Sequence, residues 1–328
     1  MKRIGFYVTA LLAGLWTSCS NVEDVVSPVE NEEQFVAVIA EGETRTSIGG
    51  NSVLWTYNAD KDKTDAISIF RKNGYNTKYI LSGLDENVAT FKYSGIYTGA
   101  SSSVELTNKK NYAVYPYDGN ITIATDGAVT VMIPAGQNYT TITTGTGENV
   151  VVTPTFDPKA AFMFAAVEQQ TLNFKNANAL MKFEFIKMPG DADYTVNSIK
   201  LTSANKALSG SAKISMTNDG PTVTLANKTT TNNSLTLTTN AVVKSMDVNN
   251  PAVFYLVVTP GTYAANDLTL TFNVTYGGDT KVIEKTITEE VTIGRNSINK
   301  IPYTLGSEDF TGNIDGFGST SDNIDVNN

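Results

Sequence analysis

The run Asp267–Tyr276 (DLTLTFNVTY) limits the possible folds more than any other stretch of this chain. Leu268, Leu270, Phe272, Val274 and Tyr276 alternate with Asp267, Thr269, Thr271, Asn273 and Thr275. Successive side chains point to opposite sides only in an extended strand, so this period of two predicts a strand with one buried and one wet face. Gly277-Gly278-Asp279 supplies turn residues, and Lys281–Thr288 returns alongside to complete a hairpin. Leu180–Met188 (LMKFEFIKM) repeats the pattern, with Met181, Phe183 and Phe185 on one face and Glu184 on the other. No stretch sustains a 3.6-residue apolar period. The fold class is therefore all-β.

Further strand-like segments recur at short, turn-punctuated intervals: Ala66–Arg71, Lys78–Ser82, Val88–Tyr93, Asn111–Tyr117 and Ala128–Ile133. Asn73-Gly74, Asp118-Gly119-Asn120 and Asp126-Gly127 separate them, and Pro134-Ala135-Gly136 stops the last. Ser52–Thr56, with Trp55, is another strand candidate, whereas Gln137–Thr155 reads as a Thr/Gly-rich break. Ala160–Val167 (AAFMFAAV) has the composition of a short helix but is expected as a strand, and Glu168-Gln169-Gln170 as a domain boundary. Beyond it come Val196–Thr202, Leu208–Met216, Thr222–Ala226, Leu235–Thr239, Ala252–Thr259 (apolar on both faces, hence a central strand) and Ile298–Leu305. Two blocks of about 135 residues, 35–170 and 171–305, predict two tandem β-sandwich domains with Greek-key type connections. Residues 306–328 are rich in Gly, Asp, Asn and Ser and read as a flexible tail.

The N-terminus reads as an export signal. Lys2 and Arg3 precede an apolar run from Ile4 to Trp16, which as a helix reaches roughly 20 Å, short of the roughly 30 Å of bilayer hydrocarbon. Residues 1–18 are thus expected to be a signal peptide rather than a membrane span. Thr17-Ser18-Cys19, ending in the single cysteine, resembles a lipobox, in which the thiol is acylated. Trp16 stands where such a motif expects leucine, with Leu15 one place further out, and an ordinary secretory cleavage near a cysteine is the alternative. Residues 19–34, acidic and proline-containing, read as a tether.

Composition excludes several activities. The chain has no histidine, which removes the commonest general base, the commonest zinc ligand and every Ser-His or Cys-His pair. Its net charge of −9 becomes about −11 once Lys2 and Arg3 leave with the signal, which argues against nucleic acid. Asp60, Asp62 and Asp65 suggest a calcium loop, but no glycine sits at the sixth position and Arg71 occupies the twelfth, so a solvated loop is favoured. No carboxylate pair stands out. Tyr112–Tyr117 (YAVYPY) offers either a platform for sugar rings or core and edge packing, of which packing is favoured. No catalytic residue, metal or cofactor is expected.

Phe35–Ala40 (FVAVIA) is the first strand candidate, with Phe35, Ala37 and Ile39 on one face and Val36, Val38 and Ala40 on the other. Apolar residues on both faces predict a strand buried inside a sandwich. The polar, glycine-containing loop after it holds Arg45. A cut between Arg45 and Thr46 would separate this strand covalently and leave an apolar groove. Refilling that groove is worth on the order of 5–10 kcal/mol as an upper estimate, and another subunit's strand is a suitable occupant.

Several pieces, in order, resemble the fimbrillin family of Bacteroidetes over nearly the whole chain. They are the lipobox-like signal with its acidic tether, Thr44-Arg45-Thr46-Ser47 ahead of Trp55, Ala66-Ile67-Ser68-Ile69-Phe70, Tyr112–Tyr117, Val131–Gln137 (VMIPAGQ), Asp157–Ala165 (DPKAAFMFA) and Phe174–Phe185. The resemblance implies tandem transthyretin-like sandwiches and a non-enzymatic pilus subunit, lipidated at Cys19 and displayed at the outer membrane. It implies maturation after Arg45, with Thr46 as the new N-terminus, and Phe35, Val36, Ala37, Val38, Ile39 and Ala40 as an exchangeable strand. The implied partners are sibling fimbrial subunits through donor-strand insertion and, for a tip or accessory member, a host or bacterial receptor. Trp55 is followed by a long charged loop where the family often has Gly-Asp, and 306–328 makes a poor donor strand. The alternative is a monomeric surface lipoprotein that binds glycans through exposed Trp55, Tyr75 or Tyr79.

Overall fold

The computed structural model describes residues 34–39, 55–56, 64–85, 88–96, 104–144 and 149–306. No α-helix occurs among the described residues, and no helix there is long and apolar enough to cross a membrane. The chain runs through β1 (Gln34–Ile39), β2 (Ala66–Phe70), β3 (Thr77–Asp85), β4 (Val88–Ile96), β5 (Asn111–Tyr115), β6 (Thr122–Ile123), β7 (Val129–Ile133), β8 (Gly136–Asn138), β9 (Thr140–Thr144), β10 (Val151–Thr155) and β11 (Met163–Val167). It continues through β12 (Thr171–Asn176), β13 (Ala179–Lys187), β14 (Tyr194–Ser203), β15 (Gly210–Thr217), β16 (Gly220–Leu225) and β17 (Ser234–Val243). Last come β18 (Ala252–Val258), β19 (Gly261–Tyr263), β20 (Leu268–Tyr276), β21 (Asp279–Thr286), β22 (Val291–Ile293) and β23 (Ile298–Leu305).

The first body is a closed barrel in the order β1-β12-β11-β5-β2-β3-β4, not the expected sandwich. Closure comes from β1, which pairs in parallel with β12 and antiparallel with β4. A closed sheet has no edges to protect, yet its strands alternate as those of a sandwich do, so local periodicity does not distinguish the two. Trp55, expected in a strand, lies outside regular structure and fills the interior. Its ring meets Phe91, Tyr115 and Phe174 edge-on at centroid distances of 5.3, 5.2 and 6.2 Å.

β2, β5 and β11 are apolar on both faces for a definite reason. Their outward residues Phe70, Tyr112, Val114 and Phe164 are covered by the sheet β16-β15-β7-β6, through Val129, Val131, Ile133, Ala212 and Ile214. This sheet joins β6 and β7 to strands more than seventy residues further along the chain. Gly127, in the turn before β7, has φ +85°, and a Cβ there would fall 2.1 Å from the Tyr112 ring. Only glycine allows that approach.

The second body packs β21-β20-β14-β17-β8 against β18-β13-β23. Phe183, Phe185, Phe254, Phe272 and Tyr303 interlock at its centre with centroid separations of 5.1–6.4 Å. The Asp267–Tyr276 hairpin forms as its alternation requires. Leu268, Leu270, Phe272 and Val274 are buried, Tyr276 pairs with Asp279, and Gly277 and Gly278 carry φ +61° and +93°. Ala252–Thr259, expected as a central strand, instead flanks the sheet as β18. Its free edge is capped by a side chain: Gln137 accepts from Val257 N at 2.9 Å and donates to Val257 O at 2.8 Å.

The sheets also redraw the expected boundary. Glu168-Gln169-Gln170 is the turn between β11 and β12, so Thr171–Asn176 belongs to the barrel. β8 belongs to the second body by parallel pairing with β17. The Thr/Gly-rich break holds three strands, β8 and the β9–β10 ribbon. The expected signal 1–18, tether 19–34 up to Glu33 and tail from Ser307 onward fall outside the described residues.

Candidate functional site: the seat of the first strand

β1 begins at Gln34, one residue before the expected Phe35–Ala40. Phe35 and Ala37 are fully buried in the barrel core, and Ile39 packs against the same core while partly exposed. Val36 and Val38 point outward and are half-buried. The strand is thus buried on one face, not on both, because among the described residues no second sheet covers this side of the barrel. Ala40 lies outside the described residues.

The seat holds β1 along both backbone edges. Val36, Ala37, Val38 and Ile39 stand opposite Thr171, Leu172, Asn173 and Phe174, and Val36 N donates to Gln170 O at 3.1 Å. On the other side Gln34, Phe35, Val36 and Ala37 oppose Lys92, Phe91, Thr90 and Ala89. Withdrawing β1 would therefore expose two strand edges, β12 and β4, with an apolar floor between them.

Phe35 is the main anchor. Its ring meets the Tyr79 ring edge-on at 5.1 Å, and the Arg71 guanidinium lies 5.3 Å from its centroid. Arg71 Nη2 donates to Tyr79 Oη at 2.7 Å, so cation and tyrosine are held together above the phenyl ring. At the next inward position, Ala37 opposes Ala89 and Leu172, where a small residue fits. Arg71 and Tyr79 carried no signal of this role in the sequence, since the anchor forms only when β1, β2 and β3 share one mouth of the barrel.

Within the same barrel, Asp65 accepts from Thr56 N at 2.6 Å and from Tyr115 Oη at 2.9 Å. Burial pushes its carboxyl above the ordinary 3.8, against the lowering effect of both hydrogen bonds. Tyr115 is pushed well above 10 by burial, then by the Asp65 charge and hydrogen bond. Asp60 and Asp62, the other members of the suggested calcium loop, lie outside the described residues. Among the described residues no three His, Cys, Asp or Glu side chains converge. Asp65 instead ties Thr56, and with it Trp55, to the barrel wall.

The proposed sugar-stacking residues are mostly core. Trp55 is 4% and Tyr79 2% exposed, and Tyr75 is half-buried. Tyr112 and Tyr115 are buried, as packing required, while Tyr117 is half-buried with Lys78 Nζ 5.2 Å from its ring. Cys19, Arg45 and Thr46 lie outside the described residues.

No family model and no curated protein matches the chain. Among solved structures it is similar to a "putative cell adhesion protein" from Bacteroides uniformis, with 13% identity over 86% of this chain and 95% of that one, at a TM-score of 0.45. A protein of the same description from Bacteroides fragilis aligns at 14% identity, 84% and 93% coverage and a TM-score of 0.42. The tip fimbrial protein Mfa3 from Porphyromonas gingivalis, C-terminally truncated, aligns at 7% identity, 83% and 95% coverage and a TM-score of 0.28. With TM-scores below 0.5, these likenesses decide neither the fold nor the function of this chain.

Proposed function

We propose that this chain is a non-enzymatic subunit of a cell-surface fimbria, exported as a lipoprotein and assembled by exchange of its first strand. The observation that supports the reading is the seat of β1. The first described strand closes a barrel between two strands distant from it in sequence, and fills the interior with Phe35 and Ala37. Its covalent connection to Trp55 runs through the segment containing Arg45, so one cut there would leave β1 held by packing and hydrogen bonds alone. The ordered sequence motifs shared with fimbrillins add to this support.

In this reading residues 1–18 are removed, Cys19 carries the lipid that anchors the chain to the outer membrane, and 19–34 is the tether. Cleavage between Arg45 and Thr46 releases β1, and a strand from a sibling subunit enters parallel to β12 and antiparallel to β4. A tip or accessory position would add a receptor as partner. A glycan-binding monomer built on Trp55 or Tyr79 is not retained, because both rings are buried; of the three aromatics considered, Tyr75 alone is half-buried.

The test is an arginine-specific protease applied to the purified full chain, followed by N-terminal sequencing and gel electrophoresis without boiling. The expected result is a new N-terminus at Thr46 and a ladder of oligomers, both absent in Arg45→Ala. Cleaved protein that keeps its β1 fragment and stays monomeric would overturn the strand-exchange reading.

A further inference from the structure

At the mouth of the barrel where β1 enters, the turn after β2 and the segment before β5 enclose a cleft of about 680 Å³. Arg71, Lys72, Lys109 and Lys110 line it, against one carboxylate, Glu105. Four cations around one cleft are unusual in a chain of net charge −9. We propose that this cleft binds an acidic carbohydrate, through a sugar carboxylate of the uronic-acid type.

The site is held by backbone geometry. Gly74, at φ +66°, lies so close to the opposing segment that a Cβ would fall 2.4 Å from Val104 O. Gly74 N donates to Arg71 O at 2.7 Å and Leu106 N to Lys72 O at 2.8 Å, fixing the turn against that segment. On the facing wall Asn108 Oδ1 accepts from Lys110 N at 3.0 Å, while Asn108 Nδ2 donates to Tyr112 Oη at 2.7 Å. Arg71 is positioned by Tyr79 and Phe35 as described above. The exposed Lys72–Glu105 pair, at 3.5 Å, offsets part of the charge locally, and such pairs are weak. Lys109 and Lys110 are exposed and form no ion pair among the described residues.

Sugar fits this surface better than acidic peptide. Thr107 Oγ1 and Asn111 Nδ2 donate to Thr125 O at 3.1 Å and Gln169 O at 3.0 Å, which leaves their oxygens as neutral acceptors for ring hydroxyls, and the half-buried Tyr75 adjoins the cleft. Leu106 is the one apolar lining residue of this cleft and is buried, so a peptide side chain finds no anchoring pocket.

The test is calorimetric titration of uncleaved full-length protein, which makes it independent of strand exchange. The probes are a galacturonic-acid trimer, the neutral galactose trimer and hexaglutamate. The acidic trimer should bind and the galactose trimer should not, and Lys109→Glu with Lys110→Glu should weaken binding by about tenfold or more. Both substitutions are on exposed side chains, so the melting temperature should not move. Raising salt from about 0.05 to about 0.5 M should weaken binding several-fold. Equal binding of the neutral trimer, binding of hexaglutamate as tight as that of the acidic sugar, no binding of the acidic trimer, or an unaffected double variant would each overturn the proposal.

Discussion

Phe35→Ala probes whether β1 is separable from the rest of the barrel. The ring is fully buried, meets Tyr79 edge-on at 5.1 Å and lies beneath the Arg71 guanidinium at 5.3 Å. Truncating a buried phenylalanine costs about 3–5 kcal/mol, from lost transfer energy and the cavity left behind. If β1 opens on its own, that energy falls on the local equilibrium, and the open population rises roughly 200- to 5,000-fold. Native-state hydrogen exchange reads this directly. Amides of β1 with their partners in β4 and β12 should lose protection, while those of β13, β14 and β20 in the second body should not. Val36→Ala, on the half-buried outer face, should have far less effect. If the β1 amides exchange only with global unfolding, in the parent and in Phe35→Ala alike, then β1 is an integral strand and the exchange mechanism fails.

Two further substitutions test other parts of the fold. Asp65 has a carboxyl pKa raised in the folded state, so its contribution to stability is present below about 3.8 and lost as pH rises through the raised value. Urea unfolding between acidic and neutral pH should show the parent losing stability relative to Asp65→Asn, and a parallel dependence would contradict the burial argument. Gln137→Met keeps the volume but leaves Val257 N and O without their partners, at a cost of roughly 2–4 kcal/mol in urea unfolding; a neutral result would mean that water replaces the amide.

Much of the strand content was legible because alternation is a local property. Leu268, Leu270, Phe272 and Val274 are buried as their period of two requires, and Met181, Phe183 and Phe185 share the same core. Asn111–Tyr117 and Ala160–Val167 were readable as strands, but which sheet would cover the outer side of β5 and β11 was invisible. The same ambiguity misplaced two elements: FVAVIA was read as buried on both faces, and AVFYLVVT as central. β12 was assigned to the wrong body because a turn such as Glu168-Gln169-Gln170 looks the same within a sheet as between domains. In the candidate site, the inward-facing set of Phe35, Ala37 and Ile39 was readable, whereas Arg71 and Tyr79 were not.

Backbone period, turn chemistry and the missing histidine depend on neighbours in the chain, so the residues alone determined an all-β protein without histidine chemistry, and which side chains of its clearest alternating strands turn inward. Pairing partners depend on residues brought together from far apart. Only the tertiary structure decided that β1 closes a barrel, that β6, β7 and β8 join strands of the second half, and that four dispersed cations share one cleft. A strand's alternation specifies which face is apolar; the sheet that meets that face is chosen by the packing of the whole chain.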